Sequence, residues 1–141
     1  MAGYMSKLQG YVYEGELVNG AATAVPNGIL MLKGTSTDAG KFVLPAADTN
    51  TKFLCKEVTD VYGQTGYRFI VDTLAKPYYF VENGIDVNDS CEYDGSAYTV
   101  AVGELLRAHP LLPGEEFKTT AVTGTPVVGT VYGVKADGTI G

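Results

Sequence analysis

The chain has 141 residues, 45% of them apolar, which suits one domain with a real core and argues against disorder. Charged residues make up only 18% while glycine reaches 18 residues, a balance that points to compact, loop-punctuated β structure with much uncharged surface. The net charge is −6 and the ten Lys and Arg are scattered singly, so phosphate-backbone binding, which needs several cations on one face, is disfavoured.

The first residues, MAGYMSKLQGYVYEGEL, carry no hydrophobic segment after Lys7 of the kind a signal peptide needs, so we expect assembly in the cytoplasm. Residues 1–13 have no sustained period, and Gly3 and Gly10 interrupt them. They nevertheless hold Tyr4, Met5, Leu8, Tyr11 and Tyr13, a greasy set for a free tail. Two readings stay open: an arm that orders against a neighbour, or a first strand behind a frayed end. Residues 14–141 then form a single β-rich domain.

Asn19-Gly20 and Asn27-Gly28 are read as turns, since both residue types tolerate positive φ, and together they suggest one small hairpin. Between them and Gly34 lies Gly28-Ile-Leu-Met-Leu, the longest apolar run, which is strand length and far short of a membrane span. Two strand-dense runs, residues 53–62 and 67–72, flank a turn placed at Gly63-Gln64-Thr65-Gly66. Cys55 and Cys91 are best read as reduced, buried thiols.

Lys76-Pro-Tyr-Tyr-Phe-Val81 puts Tyr78 and Phe80 on one strand face and Tyr79 and Val81 on the other. Both faces need cover, from a second sheet or from a partner, so Tyr78 and Tyr79 are candidates for a sandwich core and for an interface. The next turn, Asn83-Gly84, opens an acidic stretch whose oxygen ligands at 86, 88, 90 and 92 echo a calcium loop. Cys91 stands where that loop needs glycine and Ala97 where it needs glutamate, so a solvated acidic hairpin turning at Asp94-Gly95 is the better reading. Its arms carry Tyr93 and Tyr98.

Residues 102–109, stopped by Pro110, are the best helix candidate, yet they are short and weakened by Gly103, so we expect a strand or irregular segment. Further on, Phe117, Thr119 and Ala121 alternate with Lys118, Thr120 and Val122. Val128, Thr130, Tyr132 and Val134 share the next face, opposite Gly129 and Gly133, which mark bulges or close backbone approach. Asp137-Gly138 turns the chain into its last segment.

Chemistry-bearing groups are few. His109 is the one histidine, no Gly-x-Ser-x-Gly motif surrounds Ser6, Ser36, Ser90 or Ser96, and a packed imidazole is the expectation. One His and two distant Cys do not make a zinc site, Glu115 and Glu116 are adjacent and point apart in a strand, and no phosphate loop is present. No catalytic residue, metal or cofactor is assigned. The fold expectation is all-β, with at most one short helix: a small antiparallel sandwich or barrel built from hairpins, with an N-terminal arm.

Several stretches together resemble the small head decoration (cement or auxiliary) proteins of tailed bacteriophages. Glu16-Leu-Val-Asn19-Gly20 with Asn27-Gly28-Ile-Leu-Met-Leu-Lys-Gly34 is similar to an early segment of that group. Phe42-Val-Leu-Pro-Ala-Ala-Asp48 and Phe53-Leu-Cys-Lys-Glu-Val58 are similar to its Ala/Pro/Asp loop and following strand. Leu106-Arg-Ala-His-Pro-Leu-Leu-Pro-Gly-Glu-Glu-Phe117 resembles its Arg-x-hydrophobic, Pro/Gly-acid-x-Phe segment, and Pro126-Val-Val-Gly129 resembles the opening of its closing hairpin. The likeness spans most of residues 14–141. It implies a virion protein on the capsid exterior that stabilises contacts between major capsid protein subunits, commonly as a trimer, with no catalysis, nucleic acid or membrane involved. The interface set on this reading is Tyr4, Met5, Leu8, Tyr11, Tyr13, Tyr78 and Tyr79. The alternatives are a tail, connector or head-fibre component, and a carbohydrate-binding module using Tyr62, Tyr67 and the acidic hairpin.

Overall fold

The computed structural model describes residues 3–6, 14–61, 63–83 and 99–141. The chain is nearly all β, as the composition predicts. Twelve strands follow in order: β1 (Gly3–Ser6), β2 (Glu14–Asn19), β3 (Val25–Pro26), β4 (Leu30–Lys33), β5 (Lys41–Val43), β6 (Asp48–Val61), β7 (Gln64–Thr73), β8 (Tyr79–Val81), β9 (Thr99–Val100), β10 (Leu105–Pro110), β11 (Glu116–Thr119) and β12 (Val131–Val134). A single 3-10 turn, Ser36–Asp38, separates β4 from β5.

They form two layers. Strands β10-β2-β5-β4-β8 close into a barrel, and β1-β11-β7-β6-β12 form a five-stranded sheet; β3 and β9 pair separately. The joint between the layers follows from side-chain alternation. Along β4 and β8, and at Tyr78 just before β8, Leu30, Tyr78 and Phe80 pack toward the sheet, while Met31, Tyr79 and Val81 pack into the barrel. These strands are therefore covered on both faces, as the two-faced pattern of residues 76–81 requires.

The layer between sheet and barrel is aromatic. Phe117 sits at its centre, with ring centroids 5.6 Å from Phe53, 5.9 Å from Phe69 and 5.0 Å from Phe80. All four rings are fully buried, each worth roughly 2–3 kcal/mol in transfer free energy. The barrel interior is more aliphatic, built from Ile29, Met31, Val81, Leu106 and Ala108 around a Phe42–Tyr79 ring pair at 5.2 Å.

The expected alternation of Phe117, Thr119 and Ala121 holds, all three being completely buried. Residues 102–109 contain a strand, β10, and no helix. Gly133 marks a close approach, because a Cβ there would collide with the Asp48 carbonyl oxygen, and the register of β12 against β6 shifts beside it.

Three expectations need correction. The β6–β7 hairpin turns earlier than expected: Val61 already pairs with Gln64, and Gly63 takes the left-handed φ of 79° while residues 64–66 belong to β7. The fold is not purely antiparallel, since β2 and β5 run parallel. Finally, Asn19-Gly20 is not a turn, and Asn27-Gly28, which does turn with Gly28 at a left-handed φ of 88°, closes no hairpin, because β3 pairs with β9 while β4 pairs with β5 and β8. Gly20 donates its N–H to Phe42 O at 2.8 Å, prolonging the β2–β5 pairing, and Asn19 is buried. The physical reason is that an asparagine amide carries the same donor and acceptor as a peptide and can stand in for one.

Asn27 and Asn83 use this most fully. The Asn27 amide donates to Asn83 O at 2.8 Å and accepts from Asn83 N–H at 2.7 Å. The Asn83 amide in turn donates to Arg107 O at 3.1 Å and accepts from Arg107 N–H at 2.6 Å. Two side chains thus continue the backbone ladder where β8 and β10 part. The hairpin expected at Asp94-Gly95, Cys91 and the acidic stretch beyond Asn83 lie outside the described residues.

Candidate functional site

Two buried polar clusters come first, because burial of charge is where chemistry concentrates. Asp48 opens β6 at 6% exposure. Its carboxylate accepts from Asn50 N–H, Thr51 N–H, the Thr51 hydroxyl at 2.6 Å and the Tyr78 phenol at 2.7 Å. Burial alone pushes the Asp48 pKa up, but these hydrogen bonds outweigh it and bring it down to about 2. Burial and the same carboxylate push the Tyr78 phenol well above its ordinary range. Ala75 N–H closes the network on the Thr51 hydroxyl at 3.0 Å. Asp48 therefore stays a carboxylate and Tyr78 stays a phenol across the physiological range, which suits a fastening and not an acid–base pair.

His109 is buried on β10, its Nε2 3.0 Å from Glu82 Oε1. The pair bridges β10 and the end of β8, in line with the packed imidazole expected from the sequence. Among the described residues no group of three or more His, Cys, Asp or Glu is arranged to hold a metal ion. Cys55 is a free, buried thiol whose pKa burial raises.

The surface offers more. Val127, Val128 and Val131 are 61%, 53% and 45% exposed within five consecutive residues. Their loop is clamped to the sheet: Gly129 N–H donates to Cys55 O at 2.8 Å and Cys55 N–H donates to Thr130 O at 3.0 Å. Within the loop, Val127 N–H donates to the Tyr132 phenol oxygen at 2.8 Å and Thr130 N–H to Val127 O at 3.1 Å. A rigid loop carrying three exposed valines is a feature that solvent does not favour and a partner can use. Register extends it. Val131 lies opposite Leu54, Leu54 opposite Ile70, and Ile70 opposite Glu116, so a half-exposed apolar row crosses the outer face of the sheet. It ends at an ion cluster in which Arg68 bonds both Glu57 and Glu116.

This row was not visible in the sequence, where Val128 and Tyr132 were grouped on one face of a longer strand. The strand begins only at Val131, after a turn in which Gly129 takes a φ of 89°. Pro126 and Gly129 flanking two valines were the available signal.

The sequence-derived interface residues divide three ways. Tyr78 and Tyr79 are 1% and 9% exposed inside this chain's own cores, which withdraws them as partner-facing residues and assigns them to packing. Tyr78 is held by Asp48, and Tyr79 is capped by Lys33, whose Nζ lies 5.3 Å from the ring centroid. Tyr4 and Met5 fall in β1, at register positions opposite Lys118 and Phe117 on the sheet edge. Leu8, Tyr11 and Tyr13 lie outside the described residues, as does Tyr62. Tyr67, the other ring of the suggested sugar groove, is 8% exposed and packs on Phe69, so it has little face to offer a glycan. No family model matches the chain, and no curated protein or solved structure matches it.

Proposed function

We propose that this protein is a structural component of a tailed-phage virion that binds the outer capsid surface and stabilises contacts between major capsid protein subunits. The observation that carries the reading is the apolar row of Val131, Leu54 and Ile70 across the sheet, continued in sequence by the exposed loop valines Val127 and Val128. The resemblance of residues 14–141 to decoration proteins supports it from the sequence side. A cement holds by covering surface on several shell subunits at once, and repeated weak attachment becomes firm through multivalency. The N-terminal strand on the opposite edge of the same sheet supplies a second attachment point.

Truncation tests this. A protein starting at residue 14 keeps every described strand but β1, and is expected to stay folded while losing occupancy on purified capsids in a co-sedimentation assay. Saturation of capsids by the truncated protein would remove the arm from the reading. Val128→Lys, at an exposed position, weakens occupancy in the same assay while leaving thermal stability within about 0.5 kcal/mol.

A further inference from the structure

A sheet has two edges, and an open edge is a template for pairing with another chain. Here the two edges are finished differently. At β12 the chain closes its own edge: Ile140 bridges Val134 and Val122, and Gly141 N–H donates to Gly133 O at 3.2 Å. At the other side the last strand of the folded platform is β11, and what covers it is β1, paired through Gly3↔Thr119, Tyr4↔Lys118, Met5↔Phe117 and Ser6↔Glu116. The C-terminal cap is continuous with the strand it protects. β1 instead belongs to a segment whose next strand, β2, sits in the barrel.

We propose that the β11 edge is a strand-acceptor site whose occupant in the assembled protein is residues 3–6 of a second copy of this chain. The proposal deepens the reading of the N-terminus as a link between molecules, and rests on it. Three points lead there. Antiparallel edge pairing uses backbone groups, so a second copy's β1 makes the same register on Glu116–Thr119 as the chain's own. Between β1 and β2 lie residues 7–13, a connection long enough to span up to about 25 Å. And exchange of an identical element is a low-cost route to closed oligomers, because every bond lost in one chain is regained in the next. Where copies crowd on a lattice, the neighbour's strand competes at high effective concentration. A short edge strand that pairs with β11 can be traded in this way, the incoming copy making the same backbone bonds.

The experiment uses the full chain at high concentration. Tyr4→Cys and Lys118→Cys are placed on separate chains carrying Cys91→Ser, mixed, and oxidised; Cys55 is buried and stays silent. A covalent heterodimer in non-reducing electrophoresis is the expected result. The double variant Tyr4→Cys/Lys118→Cys then closes into covalent oligomers of defined size, which reports the number of copies in the ring. If mixed single variants never cross-link while the double variant closes only within one chain, the strand stays at home and the proposal is overturned. That failure is separate from failure of the capsid reading: loss of capsid occupancy on truncation at residue 14, together with intrachain closure only, would leave an arm that meets the shell and not its own kind.

Discussion

The two packed layers of this molecule are fastened by opposite kinds of polar group. Between sheet and barrel, a charged carboxylate, Asp48, gathers hydrogen bonds from Thr51, Asn50 and Tyr78 around an aromatic core. Around the barrel, neutral amides do the equivalent work: Asn27 and Asn83 extend the ladder to Arg107, and Asn19 binds Val100 O at 3.0 Å. A buried charge is held only where every lone pair is used, whereas an amide needs one donor and one acceptor in the right places. The difference teaches that both fastenings resist substitution, but that acid acts on the carboxylate alone, and would act with the opposite sign on an acid put in the amide's place.

The largest effect tests the aromatic layer itself. Phe117→Ala removes the ring that touches three others and is expected to cost about 3–5 kcal/mol in chemical denaturation. Phe42→Ala, whose ring pairs with Tyr79 inside the barrel, should cost about 3 kcal/mol, and a larger loss than at Phe117 would invert the ranking of the two cores.

Next comes the amide ladder. In Asn27→Asp a carboxylate oxygen replaces the donor and faces the Asn83 carbonyl, which should cost about 2–3 kcal/mol at neutral pH. The folded state then raises the pKa of the new acid. Its penalty is present in full above that folded pKa and fades as pH falls toward the ordinary carboxylate value, so the variant gains on the parent as acid is added. A pH-independent deficit would mean that the lost donor does not explain it.

Asp48 behaves in the reverse sense. Its folded pKa of about 2 lies below the ordinary 3.8, so its contribution is present above 3.8 and is lost as pH falls through about 2. Asp48→Asn should cost about 1–3 kcal/mol at neutral pH and flatten the acid-unfolding curve in that window. The smallest effect belongs to the surface: Arg68→Ala, at a partly exposed ion cluster, should cost less than about 1 kcal/mol and lose even that in high salt.

Much of this architecture was legible in the residues. The alternation at Phe117, Thr119 and Ala121 needs only the period of a strand, and the two-faced run at Tyr78 to Val81 announced two covered faces. Asp137-Gly138 turned where expected, with Gly138 N–H donating to Lys135 O at 2.9 Å. What misled was chemistry that serves two purposes. Asn-Gly is a turn signal through its backbone, and Asn27-Gly28 does turn, but the Asn19 and Asn27 side-chain amides also fasten the fold through partners 81 and 56 residues away in sequence. Asp48 gave no local sign of burial, since the hydroxyl of Tyr78 that helps satisfy it arrives from 30 residues away, just before β8. The exposed valine row was hidden for a related reason: Val131, Leu54 and Ile70 become neighbours only through the register of β12, β6 and β7.

The proposal to be tested is that this molecule acts by covering shell subunits with its β surface. Cryo-electron microscopy of the particles that carry it measures this most directly. The account predicts density for the two-layer fold at repeated positions on the outside of the capsid, with the valine row or the N-terminal strand against protein. Density confined to the tail, or to sites away from the capsid exterior, would contradict it.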